Sequence, residues 1–218
     1  MPRSRLTITL DSDLLDAVDT LIDGDSLRNR SQAIEHYLSR GIGIHEMRQA
    51  FLFFSDQFIQ SQLESVLSAC LKDGIHSLFI CTHSRNMSQA SELAAVITDF
   101  AFKRSMPDFF TSTSVPLDFG SGAAILLQKA QLESAFLLCW FGDSFQSPAS
   151  FLKSYLFHRN HGNPVTLLLR TTESLQFESC GLAIAQPEVL VAIPAGLSDL
   201  VDTVFPQLVK EGKVMGYI

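Results

Sequence analysis

The stretch RLTITL, residues 5–10, constrains the fold more than any other feature of the chain. Its residues alternate between polar and apolar, which is typical of a strand with one buried face. A helical pattern follows directly, with no hairpin signal such as Asn-Gly, although a lone strand has two unpaired edges that need partners. We therefore expect this strand to pair with the same strand of a second copy. The buried face would carry Leu6, Ile8 and Leu10, and the free face Arg5, Thr7 and Thr9.

Two helices are predicted after this strand. The first is capped by Asp11 or Ser12, and the second begins near Ser31 and ends around Gly41. Their apolar residues recur at helical spacing: Leu14, Leu15, Val18, Leu21 and Ile22 in the first, and Ile34, Tyr37, Leu38 and Ile42 in the second. A unit this small buries too little surface to be stable alone. Residues 1–45 are therefore predicted to form a dimeric β-α-α domain.

The strand-helix-helix order over about residues 3–43 resembles the ribbon-helix-helix DNA-binding family. The resemblance rests on RLTITL, LDSDLLDAVDTLI and NRSQAIEHYLSRG, the last of which has the family's Arg-Ser pair opening the second helix. It implies a homodimer whose two-stranded ribbon enters the DNA major groove. The residues that it implies at base edges are Arg5, Thr7 and Thr9, and those at phosphates are Arg3, Asn29, Arg30 and Ser31.

The charge of the chain bears on a DNA partner. The formal net charge is −7, which by itself argues against nucleic acid. The acids of the first unit, however, concentrate between Asp11 and Asp25, whereas Arg3 and Arg5 lie on or before the strand. Because the whole-chain charge does not describe one small surface, it does not exclude DNA. The alternative is an amphipathic strand and two helices that only dimerise the protein.

Residues 50–218 are predicted to form an α/β domain, because strand-length apolar runs alternate with helical segments. Strands are predicted in HSLFICT, FLLCWFG, PVTLLLR, GLAIAQ and KVMGYI. Helices are predicted in QFIQSQLESVLSACLKDG, MSQASELAAVITDFAF, GAAILLQKAQ and SPASFLKSYLFHRNHG, the last capped by Ser147. The run FLFFSDQF is expected to be buried in the core or in an interface.

The order of motifs over about residues 55–218 resembles the sugar-nucleotide pyrophosphorylases, which are nucleotidyltransferases. The resemblance rests on LKDGIHSLFICT, FGSGAAILL, FLLCWFGDSF, FLKSYLFHRNHGNPVTLLLR, CGLAIAQPEVL and VFPQLVKEGKVMGYI. It implies a Rossmann-like α/β domain in which a Gly-rich turn lies beside a nucleotide or sugar nucleotide. The vestigial pocket that it implies comprises Gly120, Ser121, Gly122, Ala123 and Asp143.

The chain departs from this family in the segments that carry the family's catalytic and substrate-binding residues. The family's first strand, its Gly-rich phosphate loop and its Pro-Lys are not recognisable in RGIGIHEMRQAFLFFSDQ, and the Glu-Lys-Pro stretch near the sugar is absent between Thr172 and Cys180. We therefore expect a truncated pseudoenzyme domain that lacks the first strand and has no catalytic residues, metal or cofactor. Its role is either an oligomerisation platform, which the missing loop favours, or the sensing of a ligand.

Other chemistry-bearing residues are interpreted structurally. Cys70, Cys81, Cys139 and Cys180 are dispersed and are expected to be buried free thiols. His158 and His161 lie at a spacing that a metal can use, but capping of a helix C-terminus is favoured. GDSF lacks the second Gly of a nucleophile elbow, so Ser144 is not predicted to be a nucleophile. No apolar run approaches the roughly 20 residues of a membrane span.

These observations predict a cytoplasmic, nucleoid-associated transcriptional regulator that binds double-stranded DNA sequence-specifically and is not an enzyme. It is expected to be a homodimer, with tetramers or larger assemblies on DNA left open. One alternative is an antitoxin, in which the first unit binds DNA and the remainder covers a toxin. The other is a working nucleotidyltransferase that uses its N-terminal module only to dimerise.

Overall fold

The computed structural model describes residues 7–20, 22, 28–41, 46–54, 60–143, 145–172 and 176–218. The chain divides into two compact units, Met1–Ile44 and His45–Ile218.

The first unit contains two capped helices, α1 (Ser12–Thr20) and α2 (Arg30–Gly41). The predicted cap of α1 is confirmed, because the Asp11 carboxylate accepts the N–H of Asp13 at 2.9 Å. Helix α2 begins earlier than its predicted start at Ser31, since the Asn29 side chain accepts the N–H of Gln32 at 3.0 Å and so acts as the N-cap.

Residues 7–10 of the single chain have no strand hydrogen bonds. A strand forms only when a neighbour satisfies its backbone groups, and residues 5 and 6 lie outside the described residues. The ribbon at residues 5–10 therefore stays a prediction.

The second unit is built on a seven-stranded sheet of order β3-β2-β1-β4-β6-β5-β7. Strand β6 is antiparallel to both of its neighbours, and the other pairings are parallel. This confirms the predicted mixed α/β class. The strands are β1 (Gln49–Phe53), β2 (Ser77–Thr82), β3 (Thr111–Pro116), β4 (Phe136–Trp140), β5 (Val165–Thr171), β6 (Phe177–Ala185) and β7 (Val214–Tyr217).

Helices cover both faces of this sheet, so the unit has three layers. The core on one face is formed with α3 (Gln60–Asp73), α4 (Met87–Phe102) and α6 (Leu152–His161). The core on the other face is formed with α5 (Gly120–Leu127), a π-helical turn (Leu200–Val204) and α7 (Phe205–Lys210). Short 3-10 turns lie at Ser84–Asn86, Lys129–Gln131 and Pro187–Ala192.

Two predictions about the elements of this unit are wrong. The domain does not lack a first strand: β1 lies at the centre of the sheet, with Leu52 and Phe51 buried on its two faces. Its apolar run FLFF was expected to be buried in the core or in an interface, but it was not recognised as a strand. Helix α6 begins at Leu152 rather than after Ser147, because the carboxylate of Asp73 accepts the N–H of Phe151 and caps the helix there.

Candidate functional site

The described part of the predicted base-contacting face consists of two exposed threonines. Thr7 and Thr9 are both solvent-accessible and precede the cap of α1. Arg3 and Arg5, which were predicted to contact a phosphate and a base, lie outside the described residues.

The predicted phosphate-contacting residues lie at the N-terminus of α2. Asn29 caps the helix with its side chain, and Ser31 is exposed in the first turn. The Arg30 guanidinium contacts the Asp19 carboxylate through two N–H groups, with Nε 2.5 Å from Oδ1. These hydrogen bonds lower the pKa of Asp19 and raise the pKa of Arg30. The first N–H groups of a helix attract anions, but Arg30 is engaged by Asp19 in the single chain.

The predicted Gly-rich pocket forms the first turn of α5, and residues 198–200 of the same chain occupy it. The N–H of Gly122 donates to the carbonyl oxygen of Ser198 at 3.0 Å. The hydroxyl of Ser121 donates to Oδ2 of Asp199 at 2.8 Å and accepts the N–H of Leu200 at 2.8 Å. Residues 198–200, with the carboxylate of Asp199, thus occupy the turn where the resemblance implied a vestigial pocket for a nucleotide or sugar nucleotide.

The glycines of this turn permit that close approach. Gly120 has φ +90°, and a Cβ there would lie 2.3 Å from the carbonyl oxygen of Ser198. A Cβ at Gly122 would lie 2.6 Å from the hydroxyl oxygen of Ser198. A nucleotide at this turn would first have to displace residues 198–200. Ala123 follows in the same turn, whereas Asp143 is exposed in the turn after β4 and has no hydrogen bond or ion pair to α5 among the described residues.

A second carboxylate occupies the neighbouring helix start. Asp118, which follows β3, accepts the N–H of Ser84 at 3.0 Å and also the hydroxyl of Ser84, and it lies 3.6 Å from Nδ1 of His83. The hydrogen bonds from Ser84 are the main cause of a lowered pKa for Asp118. Ser84 begins the 3-10 turn that leads into α4. At the ends of both β2 and β3, the chain therefore supplies its own anion.

Aromatic ring pairs lie where the strand order reverses. From β1 the chain proceeds to β2 and β3 on one side, and β4 lies on the other side. Open α/β sheets bind ligands in the crevice at the carboxyl ends of such a strand pair. Here Phe53 stacks on Trp140 at 5.1 Å between ring centroids, and Phe54 stacks on Phe141 at 4.6 Å. Aromatic ring pairs therefore join the carboxyl ends of β1 and β4.

An open groove lies beside these rings, with a volume of about 640 Å³. We call it the apolar groove. Its lining residues are Trp140, Phe141, Gly142, Leu167, Ser179, Gly181, Val201, Phe205, Pro206, Val209 and Lys210. Lys210 is the one charged side chain among them. Periodicity did not predict this groove, because its walls come from β4, β5, β6, the π-helical turn and α7.

The two histidines of α6 do not form a metal pair. His158 is fully buried, with Nδ1 2.8 Å from the hydroxyl oxygen of Thr166, and its Nε2 has no hydrogen-bond partner among the described residues. Burial lowers the pKa of His158 to about 4. His161 is exposed, and its Nδ1 lies 2.8 Å from the carbonyl oxygen of Phe157 near the helix end. The predicted capping thus fits His161, whereas His158 is a core residue.

No cluster of three or more metal-ligating side chains occurs in the part of the chain that the structure describes. The four cysteines are free and buried, as predicted, and burial raises the pKa of each thiol: Cys70, Cys81, Cys139 and Cys180. The predictions about Ser144 lie outside the described residues.

Comparisons with known proteins identify no relative: no protein-family model and no curated protein matches the chain. Within the described ranges, no helix combines the length and the apolar character that crossing a bilayer requires.

Proposed function

We propose that the chain is a sequence-specific DNA-binding transcriptional regulator. Its first unit dimerises through a two-stranded ribbon that contacts bases in the major groove, and its α/β unit has no nucleotidyltransferase activity. A DNA partner would place the protein at the nucleoid in the cytoplasm.

The main support for a dimer is the exposure of apolar side chains on the first unit. Ile8, Leu14 and Leu38 are 48%, 54% and 55% exposed in the single chain. Each occupies a position that the amphipathic pattern assigns to a core. Burying such side chains favours association, and a second copy that pairs at residues 5–10 would bring the apolar face of its own strand to the same place. This supports an intertwined dimer rather than a free monomer.

The polar groups around this dimer fit a DNA contact. Thr7 and Thr9 are exposed, and Thr hydroxyls and methyls can contact base edges. The N-terminus of α2 presents N–H groups and the positive end of the helix dipole, which suit a backbone phosphate. The Asp19 carboxylate that holds Arg30 would compete with that phosphate, so affinity should depend steeply on salt.

The structure of the second unit supports the absence of phosphoryl chemistry. Two helix starts at the carboxyl ends of β2 and β3 hold the chain's own carboxylates, those of Asp118 and Asp199. Stacked ring pairs join the carboxyl ends of β1 and β4. A triphosphate at these helix starts would therefore face two like charges. Oligomerisation or the sensing of another ligand fits this unit better than catalysis.

The test is fluorescence anisotropy with DNA from upstream of the protein's own gene, scrambled DNA as competitor, and a series of salt concentrations. The Thr7→Ala/Thr9→Ala variant should lose sequence preference while keeping its circular dichroism spectrum. Thr20→Ala is the matched control, because Thr20 is an exposed threonine whose hydroxyl bonds within α1. Equal binding of both DNAs by the wild-type protein would refute the proposal. So would release of pyrophosphate from a nucleoside triphosphate and a sugar phosphate, which would support the enzyme alternative.

A further inference from the structure

The apolar groove has the size and the walls of a small-molecule site. Its volume of about 640 Å³ lies within the range of ligand pockets, roughly 300–1,000 Å³. The rings of Trp140 and Phe205 meet edge to face at 5.9 Å between centroids and form one wall. Leu167 of β5 also lines the groove. Such walls favour the aromatic or aliphatic body of an organic molecule.

Part of this apolar wall is exposed to water. Val201 and Val209, which line the groove from the π-helical turn and from α7, are 50% and 56% exposed. Large apolar side chains that lie together at the surface and form a concavity mark a binding site more often than isolated ones do. An apolar ligand that covered them would gain the free energy of removing that surface from water.

The charge of the groove specifies the polar end of the ligand. Lys210 lies in the last turn of α7 and is the one charged side chain among the described residues that line the groove. It forms no ion pair or hydrogen bond with any described residue, whereas the nearby Lys213 is paired with Glu211 at 2.7 Å. An unpaired ammonium at the edge of an apolar groove complements a carboxylate or a sulfonate.

Two glycines shape the groove. Gly181 has φ +72° where the register of β5 and β6 shifts, and a Cβ there would lie 2.6 Å from the carbonyl oxygen of Trp140. The N–H of Gly181 donates to the hydroxyl of Ser179 at 3.1 Å, which helps to fix this irregular backbone. A Cβ at Gly142 would meet no atom within 4 Å, so the space beside that wall is open. The groove is therefore a built feature of the strand ends.

We infer that the apolar groove binds an amphipathic organic anion, whose apolar body lies against Trp140 and Phe205 and whose carboxylate or sulfonate pairs with Lys210. This ligand class differs from the nucleotides that the Gly-rich turn suggested. The inference goes beyond DNA binding and does not depend on it, because the groove belongs wholly to the second unit.

The experiment uses octanoate as the anion and octan-1-ol as its neutral counterpart. Trp140 is the one tryptophan of the chain, so its fluorescence reports occupancy of the groove directly. We expect octanoate to cause a saturable change in the wild-type emission. Lys210→Gln should raise the Kd for octanoate by about tenfold, because one charge-assisted hydrogen bond is lost. The same variant should change the Kd for octan-1-ol by less than about twofold, because this compound has no charge to pair with Lys210. Lys213→Gln is the matched control and should behave as the wild type.

A second variant distinguishes a small-molecule ligand from a protein partner as the occupant of the apolar groove. Val209→Asp places a charge on the exposed wall and should weaken both compounds without unfolding the protein, as checked by circular dichroism. The absence of saturable binding by the wild type in fluorescence and equilibrium dialysis would overturn the inference, as would equal weakening by Lys210→Gln and Lys213→Gln. Dissociation of an oligomer by Val209→Asp, in a protein that binds no octanoate, would assign the groove to a second copy and would also overturn it.

Discussion

His158 should make the stability of the α/β unit depend on pH. Its imidazole is fully buried on α6, with Nδ1 against Thr166 and no hydrogen-bond partner for Nε2 among the described residues. Burial favours the neutral ring and lowers its pKa from 6.5 to about 4, although the Glu188 carboxylate acts in the opposite direction. When the protein unfolds below the ordinary pKa of histidine, this ring therefore takes up a proton.

The sign and size of the effect follow from this difference. The pKa of His158 is lower in the folded protein than in the unfolded chain. Its contribution to the free energy of unfolding is therefore complete above the pKa of the unfolded chain and is lost as the pH falls from that value through the pKa of the folded protein. Between about pH 8 and about pH 5, the unfolded ring becomes almost fully protonated while the folded ring stays mostly neutral. With one pKa unit worth about 1.4 kcal/mol, His158 alone should lower the free energy of unfolding by about 2 kcal/mol over this interval.

The assay is urea denaturation of the wild type and of His158→Asn at these two pH values. Trp140 fluorescence follows the unit that contains the histidine. The overall stability of the variant will fall because a buried ring is removed, but only its pH dependence matters, and the titration of carboxylates cancels in the comparison. His161→Asn removes an exposed imidazole from the same helix and is the matched control.

The expected result is that the wild type loses about 2 kcal/mol more than His158→Asn between the two pH values. A difference below about 0.5 kcal/mol would refute the reasoning, because it would mean that the folded protein accepts a proton at this site as readily as the unfolded chain does. If His158→Asn does not fold, His158→Gln provides the same comparison with a longer side chain.

Three further predictions concern the backbone, a helix cap and the dimer. Gly181→Ala should lower the free energy of unfolding in urea by about 1–3 kcal/mol more than Gly162→Ala does, because both residues have positive φ but only at Gly181 does a Cβ meet a backbone atom. Asp199→Ala should cost about 1–2 kcal/mol in the same assay, because the carboxylate accepts two N–H groups, whereas the exposed Asp202→Ala should cost less than about 0.5 kcal/mol. Leu38→Glu should convert the proposed dimer to monomers in sedimentation equilibrium; an unchanged mass would contradict the proposed interface.

Sequence patterns predicted the elements that have a long apolar run or a strong end signal. The cap at Asp11 and the strands around Leu78, Leu137 and Ile184 were recognised from local chemistry and apolar runs. The sequence patterns did not identify β1 as a strand, although its run FLFF was expected to be buried and, like β2 and β4, it contributes to the cores on both faces. Nor did they reveal β3, whose residues from Thr111 to Ser114 are all exposed at the edge of the sheet. An exposed polar edge strand has neither an apolar run nor a buried alternation to mark it.

The site was harder to predict than the fold, because its contacts join distant parts of the chain. Ser121 and Asp199 are 78 positions apart, and Ser84 and Asp118 are 34 apart. No local spacing relates such partners. The same limit applies to the apolar groove, whose walls meet only after the sheet has formed. Gly-rich and acidic motifs identify residues that permit close approach or carry a charge. They do not identify the distant segment of the chain that contacts those residues.

The Gly-rich turn at α5 illustrates why such a motif does not specify a ligand. Glycine at positions 120 and 122 allows close approach to a helix N-terminus, and both the free N–H groups and the helix dipole favour an anion there. These physical requirements are met equally by a phosphate and by a peptide segment with its own carboxylate. In this chain the carbonyl oxygen of Ser198 accepts the N–H of Gly122, and the Asp199 carboxylate accepts the hydroxyl of Ser121. Because the chain's own residues occupy this turn, the ligand chemistry that we infer for the second unit comes from the apolar groove and its Lys210, and it is that of an amphipathic anion rather than of a phosphate.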